Sequence, residues 1–148
     1  MKHDYLLREA EKALDEKNYN KASKRYEEFA NKYRDVDPKV SAFHYKLAAK
    51  YTINEISKIT LYEKVADAFN KANQQENEAD ILMDIGLAYQ KINNKKQSKT
   101  TLKRAIKIYS KLIPLLVDEN NYSDIENGLE KIKFCINNIN GEDEKNGN

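Results

Sequence analysis

Few residues of this chain have the types and spacings that catalysis or metal binding requires. His3 and His44 stand far apart, and neither has a second histidine or cysteine three or four residues away, as two metal ligands on one helix face need. Glycine-rich phosphate loops and nucleophile motifs do not occur, and the carboxylate pairs Glu27–Glu28 and Asp35–Asp37 are typical of a solvated face and a helix cap. The single cysteine, Cys135, excludes an intrachain disulfide. We therefore predict no catalysis, no cofactor and no metal site.

The lysines carry more information than these groups, because they are unevenly distributed. The net charge is only +2, yet residues 85–117 contain eight basic residues and no acidic one. At 100° per residue, one set of lysines lies along a single side of a helix, with an apolar stripe opposite. We call this set the basic ridge: Lys95, Lys99, Lys103, Lys107 and Lys111. It is either an ordinary solvated face, partly neutralised by the acidic segment after residue 117, or a surface that attracts an anionic partner.

The elements that must position these residues are helices throughout. Apolar residues recur at spacings of three and four, alternation with period two is not sustained, and the chain of 148 residues contains only four glycines and two prolines. Asp37 and Pro38 predict the start of a helix. The β-branched residues before and after Asn54 lower the helix propensity, which favours a turn near 54–57. Pro114 either kinks its helix or opens an extra turn. The predicted helices span about 2–16, 20–34, 38–53, 57–72, 77–92, 95 to at least 112, and 122–138.

These seven helices predict an all-α fold with one domain, 1–139, and a disordered polar tail, 140–148, which lacks apolar residues. Short connections place neighbouring helices antiparallel, as a stack of helical hairpins. The longest apolar run is far shorter than the roughly 20 residues of a membrane span, and the N-terminus lacks the apolar core of a secretory signal. We therefore expect a cytoplasmic protein.

The hairpin formed by residues 79–112 resembles a tetratricopeptide repeat. Its order of large and small residues agrees with the family fingerprint, although the first large position is only a leucine: Leu82, Ile85, Gly86, Tyr89, Ser98, Leu102 and Ala105. Partial matches in the two earlier hairpins make Ala22, Leu61 and Ser98 equivalent, with spacings of 39 and 37 residues. Such longer repeats are similar to those of the SNAP family of membrane-fusion adaptors. The resemblance implies a right-handed superhelix of hairpins.

The resemblance also implies a function, because tetratricopeptide repeats bind other proteins in a groove lined by the first helix of each hairpin. Carried over to this chain, the groove residues are Leu7, Glu11, Leu14, Lys46, Lys50, Ile53, Met83, Leu87 and Gln90. Met83 stands where the carboxylate clamp of some family members has a lysine, so that clamp is not reproduced. A mixed apolar and polar groove suits a helix or an extended peptide, although the same residues could equally pack against a neighbouring hairpin or a second copy of the chain.

We accordingly expect a non-catalytic scaffold or adaptor that binds a protein or peptide partner. The alternative is an adaptor for an anionic surface, nucleic acid or membrane, bound through the basic helix 95–111. Lysine outnumbers arginine in the basic ridge and aromatic residues are few, so only weak, salt-sensitive attraction is expected there. Homo-oligomerisation is compatible with so short a stack, since its ends are exposed. The sequence indicates no small-molecule substrate.

Overall fold

The computed structural model describes residues 4–146, with side chains placed from residue 4 to residue 141. His3 and the start of the predicted first helix lie outside the described residues. The prediction of an all-α fold is confirmed, because the described residues form helices and no strand. The helices are α1 (Tyr5–Asp15), α2 (Tyr19–Tyr33), α3 (Pro38–Lys50), α4 (Glu55–Lys71), α5 (Gln75–Lys91), α6 (Lys95–Asp118) and α7 (Tyr122–Asn146).

The helices form two compact units. Unit 1, Met1–Gln74, contains α1 to α4, and unit 2, Gln75–Asn148, contains α5 to α7. Within each unit every helix packs against the next along the chain, as expected of helical hairpins. The grouping of all helices into a single domain, 1–139, stays a prediction, as does the right-handed superhelix.

Four of the connections share one turn. Lys17, Asn73, Asn93 and Asn120 each adopt a left-handed conformation, with φ between 55° and 59°. In the turn between α5 and α6, the Asn93 N–H donates to the Gln90 carbonyl at 3.0 Å and the Asn94 N–H donates to the Tyr89 carbonyl at 2.9 Å. These bonds satisfy carbonyl groups at the end of the preceding helix. Asparagine suits this conformation better than other residues with a Cβ atom, and it stands at three of the four positions.

Small residues bring the helices close together. In unit 1, the Ser23 hydroxyl donates to the Ala48 carbonyl at 2.7 Å, and the Ser41 hydroxyl donates to the Ala30 carbonyl at 2.8 Å. In unit 2, Gly86 of α5 lies directly against the side chain of Leu102 on α6. The core of each unit therefore alternates small side chains at the points of approach with large ones beside them.

The positions that the repeat comparison made equivalent share one environment. Ala22, Leu61 and Ser98 lie on α2, α4 and α6 and are all buried. This agreement supports the placement of the three hairpins on the chain, and it is compatible with a helical-repeat fold.

The structure differs from the predicted boundaries at the connection between α3 and α4 and at the end of α7. α3 ends at Lys50 and α4 begins at Glu55, so the predicted turn at 54–57 was too late. Asn54 caps α4, because its side-chain oxygen accepts from the Ser57 N–H at 2.9 Å. Pro114 lies inside α6, which continues to Asp118. The structure also extends α7 to Asn146, so helix enters the tail predicted to be disordered. Glutamate and lysine favour helix, and extending an existing helix needs no new nucleus.

Candidate partner-binding surfaces

The predicted groove residues of unit 1 lie on the solvent side of α1 and α3. On α1, Leu7 and Leu14 are half-buried and Glu11 is exposed. On α3, Lys46 and Lys50 are exposed and one helical turn apart. Because α3 ends at Lys50, Ile53 stands in the connection to α4, where its side chain is 99% exposed. The expected position of Ile53 on the helix was therefore wrong, and the side chain is instead presented fully to solvent.

Two connections in unit 1 build an open cavity of about 640 Å³. One connection joins α1 to α2 and the other joins α3 to α4. Both are fixed by asparagine caps, since Asn18 accepts from the Lys21 N–H at 3.2 Å and Asn54 caps α4 as described above. The lining consists of Lys17, Asn18, Tyr19, Asn20, Lys50, Tyr51, Thr52, Ile53, Asn54 and Ser57. We call it the turn cavity.

The turn cavity combines aromatic, apolar and cationic groups. Tyr51 stacks between two other tyrosine rings, with centroids 6.0 Å from Tyr19 and 6.0 Å from Tyr26. Tyr26 is buried, whereas the outer ring of Tyr19 is 50% exposed. The Lys50 ammonium lies 5.5 Å from the Tyr51 ring centroid, in a cation–π position. Two lysines and no carboxylate line the cavity, so its potential favours an anionic group beside an apolar or aromatic one.

In unit 2, the predicted groove residues Met83, Leu87 and Gln90 are all half-buried on α5. Met83 lies against α6, because its sulfur is 3.2 Å from the Tyr109 hydroxyl oxygen. It is therefore packed within the hairpin formed by α5 and α6.

A polar cluster lies beside Met83 and was not foreseen from the sequence. The Tyr109 hydroxyl donates to Asp80, and the Lys131 ammonium lies 2.8 Å from Asp80 Oδ1 and 5.5 Å from the Tyr109 ring centroid. Burial, followed by the hydrogen bond to Asp80, raises the pKa of Tyr109 far above its usual range. The phenol therefore stays protonated. Because each group has a partner, the cluster joins α5, α6 and α7 as a structural contact.

An apolar cleft of about 180 Å³ opens next to this cluster. Leucine and isoleucine side chains of α6 form its walls, and Gly128 and Lys131 of α7 close one side. Cys135 lies on the same helix and is fully buried. Burial raises the pKa of its thiol to about 11, so it remains a neutral, unreactive thiol at neutral pH.

The basic ridge follows α6 as predicted, but its members differ in exposure. Lys103, Lys107 and Lys111 are exposed, and no ion pair among the side chains of residues 4–141 involves them. Lys95 and Lys99 are half-buried. The part of the basic ridge that an anionic partner could reach is therefore the stretch from Lys103 to Lys111.

Neither histidine nor carboxylate chemistry emerges from the described part of the chain. His44 is half-buried. Its Nδ1 lies 2.7 Å from the Val40 carbonyl oxygen, and the centroid of its ring lies 4.4 Å from the centroid of the Phe29 ring. Among the described residues, no group of three histidine, cysteine or carboxylate side chains is placed to hold a metal ion. In the same residues, no helix combines the length and the apolar character needed to cross a membrane.

Family models, curated proteins and solved structures were compared with the chain, and none of them matches it. The likeness to tetratricopeptide repeats therefore rests on the fingerprint residues and on the hairpin packing.

Two features of the surface could not be found from sequence patterns. The turn cavity forms where two connections about 35 residues apart meet, and the Asp80 cluster joins side chains from three helices. Helical periodicity predicts which face a residue occupies, but not which helix ends lie side by side. Lys50 and Ile53 were the only members of the turn cavity among the predicted groove residues.

Proposed function

We propose that this chain is a non-catalytic scaffold that binds another protein. The observation that carries the proposal is the turn cavity. An open surface that combines a 99% exposed isoleucine with stacked tyrosines and two lysines offers apolar, aromatic and cationic contacts to a partner in one place. Tyrosines are enriched at protein interfaces because they offer a large apolar ring with a polar tip.

The chemistry of the cavity indicates the kind of partner. An apolar side chain could cover Ile53 and Tyr19, while a carboxylate beside it could pair with Lys17 or Lys50. We therefore expect an acidic segment that carries an apolar anchor. The exposed Lys46, one turn before Lys50, would extend the basic side of this surface along α3.

A displayed library of random peptides, selected against the purified chain, tests this proposal. Enriched peptides should combine aspartate or glutamate with an apolar residue, and they should lose binding to Ile53→Asp and Lys50→Glu. Two matched controls lie elsewhere in unit 1: Val36→Asp replaces another apolar residue, 79% exposed, and Lys39→Glu another exposed lysine. Equal binding to all four variants would place the site elsewhere, and a library without enrichment would overturn protein binding through this cavity.

The second candidate is an adaptor for an anionic surface. It is favoured by Lys103, Lys107 and Lys111, which are exposed on one side of α6 in a segment without acidic residues. Such binding consists mainly of counterion release and weakens steeply with salt.

Titration with a short DNA duplex and with phosphatidylserine vesicles, at about 50 mM and about 200 mM salt, tests this candidate. Binding at the lower salt should disappear when the three lysines are changed to glutamate. A control with Lys12, Lys24 and Lys39 changed to glutamate alters the net charge equally but leaves α6 intact. Undetectable binding at the lower salt, or equal loss in both triple variants, would refute a role for the ridge.

A further inference from the structure

Helix α7 carries an apolar stripe that α6 covers along one edge only. The stripe follows spacings of three and four without interruption: Tyr122, Ile125, Leu129, Ile132, Ile136 and Ile139. This is the heptad pattern with which one helix packs along another.

The exposure of these side chains alternates along the stripe. Ile139 is buried, and Ile125 and Ile132 are half-buried at the edge that faces α6. At the outer edge, Tyr122 is 71% exposed, Leu129 is 52% exposed and Ile136 is 42% exposed. Since lone helices rarely present a regular apolar edge to water, the pattern indicates that a further helix packs there.

The charges beside the stripe indicate which helix this is. Glu126 precedes Leu129 by three residues and Lys133 follows it by four, so both flank the outer edge of the stripe. Both are exposed, and neither forms an ion pair with the side chains placed between residues 4 and 141. Charges in these flanking positions set the partner and the orientation of paired helices.

We propose that two copies of this chain associate through α7, with the two helices antiparallel about a twofold axis close to Leu129. In this arrangement the outer edges meet, so that Leu129 faces Leu129 of the second copy and Tyr122 faces the second Ile136. Glu126 then lies beside the second Lys133, and the twofold axis repeats this ion pair. A parallel pair offers no such match, because the opposite flank carries Gly128 and Cys135.

This association involves unit 2 and is independent of the turn cavity. It would bury the apolar edge of α7, whereas every residue that lines the turn cavity belongs to unit 1. A failure of the self-association would therefore leave the proposed function in place, and the reverse is also true.

A charge-exchange experiment in analytical ultracentrifugation tests the proposal on the full chain. The parent should dimerise with increasing concentration. Glu126→Lys alone and Lys133→Glu alone should each weaken the dimer by about tenfold or more, because each places like charges opposite one another. The double variant, with both exchanges, should dimerise as the parent does. Both residues are exposed, so the variants should fold normally, which the helical circular dichroism signal verifies.

Glu130→Lys is the matched control. Glu130 is exposed on the polar side of α7, away from the stripe, and its replacement should leave the dimer unchanged. Leu129→Glu should abolish association. A parent that stays monomeric up to millimolar concentration would overturn the proposal, since the outer edge of α7 would then not bind a second copy. A double variant no better than the single ones would overturn the antiparallel arrangement.

Discussion

The close approach of α5 and α6 depends on the missing side chain of Gly86. A Cβ atom at this position would lie 2.6 Å from Cδ2 and 2.7 Å from Cγ of Leu102, much closer than carbon atoms pack in proteins. Leu102 is fully buried, so a shift of its side chain must be accommodated by the surrounding core. We therefore expect Gly86→Ala to lower the free energy of unfolding.

Two opposing terms set the size of this effect. Inserting one carbon into a packed core costs about 1–3 kcal/mol. Replacing glycine by alanine inside a helix gains about 1 kcal/mol, since alanine loses less backbone freedom on folding. The expected result is a net loss of up to about 2 kcal/mol, measured by urea titration of the helical circular dichroism signal.

Gly128 of α7 offers a matched control. A Cβ atom there would lie 3.7 Å from Ile113 Cγ1, an ordinary contact, so Gly128→Ala should raise the stability by about 1 kcal/mol. In a Leu102→Ala background, the obstacle to a Cβ atom at position 86 is gone, and Gly86→Ala should then be stabilising. If Gly86→Ala stabilised the parent as much as Gly128→Ala does, the helix contact described for α5 and α6 would be incorrect.

Three further predictions concern stability. Lys17→Gly should raise the free energy of unfolding by about 1 kcal/mol, and with it the urea midpoint, because lysine is strained at its φ of 57°. A lower midpoint would contradict the left-handed conformation of Lys17 in the turn between α1 and α2. Ser23→Ala should lower the free energy of unfolding by about 1 kcal/mol, because it removes the hydrogen bond to the Ala48 carbonyl. Ser98→Ala should be neutral or stabilising, since the buried Ser98 hydroxyl has no partner in the described residues. Equal shifts of the urea midpoint in the two variants would refute this distinction. Burial raises the pKa of the Cys135 thiol from 9.0 to about 11, so the unfolded chain loses this proton at a lower pH than the folded chain. The free energy of unfolding should therefore fall as the pH rises from 9 to 11, and urea titrations of Cys135→Ala should show a smaller fall. The same pH dependence in the parent and in Cys135→Ala would contradict the burial of the thiol.

Helix content and much of the core were predictable from the sequence because both depend on local patterns. Spacings of three and four identified every helix, and the small residues Ala22, Ala105 and Gly86 were expected at buried positions, where the structure places them. The turn between α5 and α6 also follows local rules, since Asn93 adopts the left-handed conformation and Asn94 caps α6, both of which asparagine favours.

The rest depends on contacts that local patterns do not determine. Propensity did not place the connection between α3 and α4, since β-branched residues and one asparagine left several boundaries open. Asn54 proved to be the cap of α4, and Ile53 was thereby moved from a helix face to a loop. Tyr109 is buried in the core, and its partners Asp80 and Lys131 lie on other helices, so sequence spacing could not assign them to it.

The packing of each helix mainly on its neighbours along the chain has a consequence for how the protein folds. Contacts between successive helices close only short loops, so little chain entropy is lost before a contact forms. Proteins with such local contacts fold within microseconds to milliseconds. We expect this chain to fold quickly, starting from a hairpin such as α5 and α6. Its apolar helix faces would then be exposed only briefly during folding, which limits aggregation.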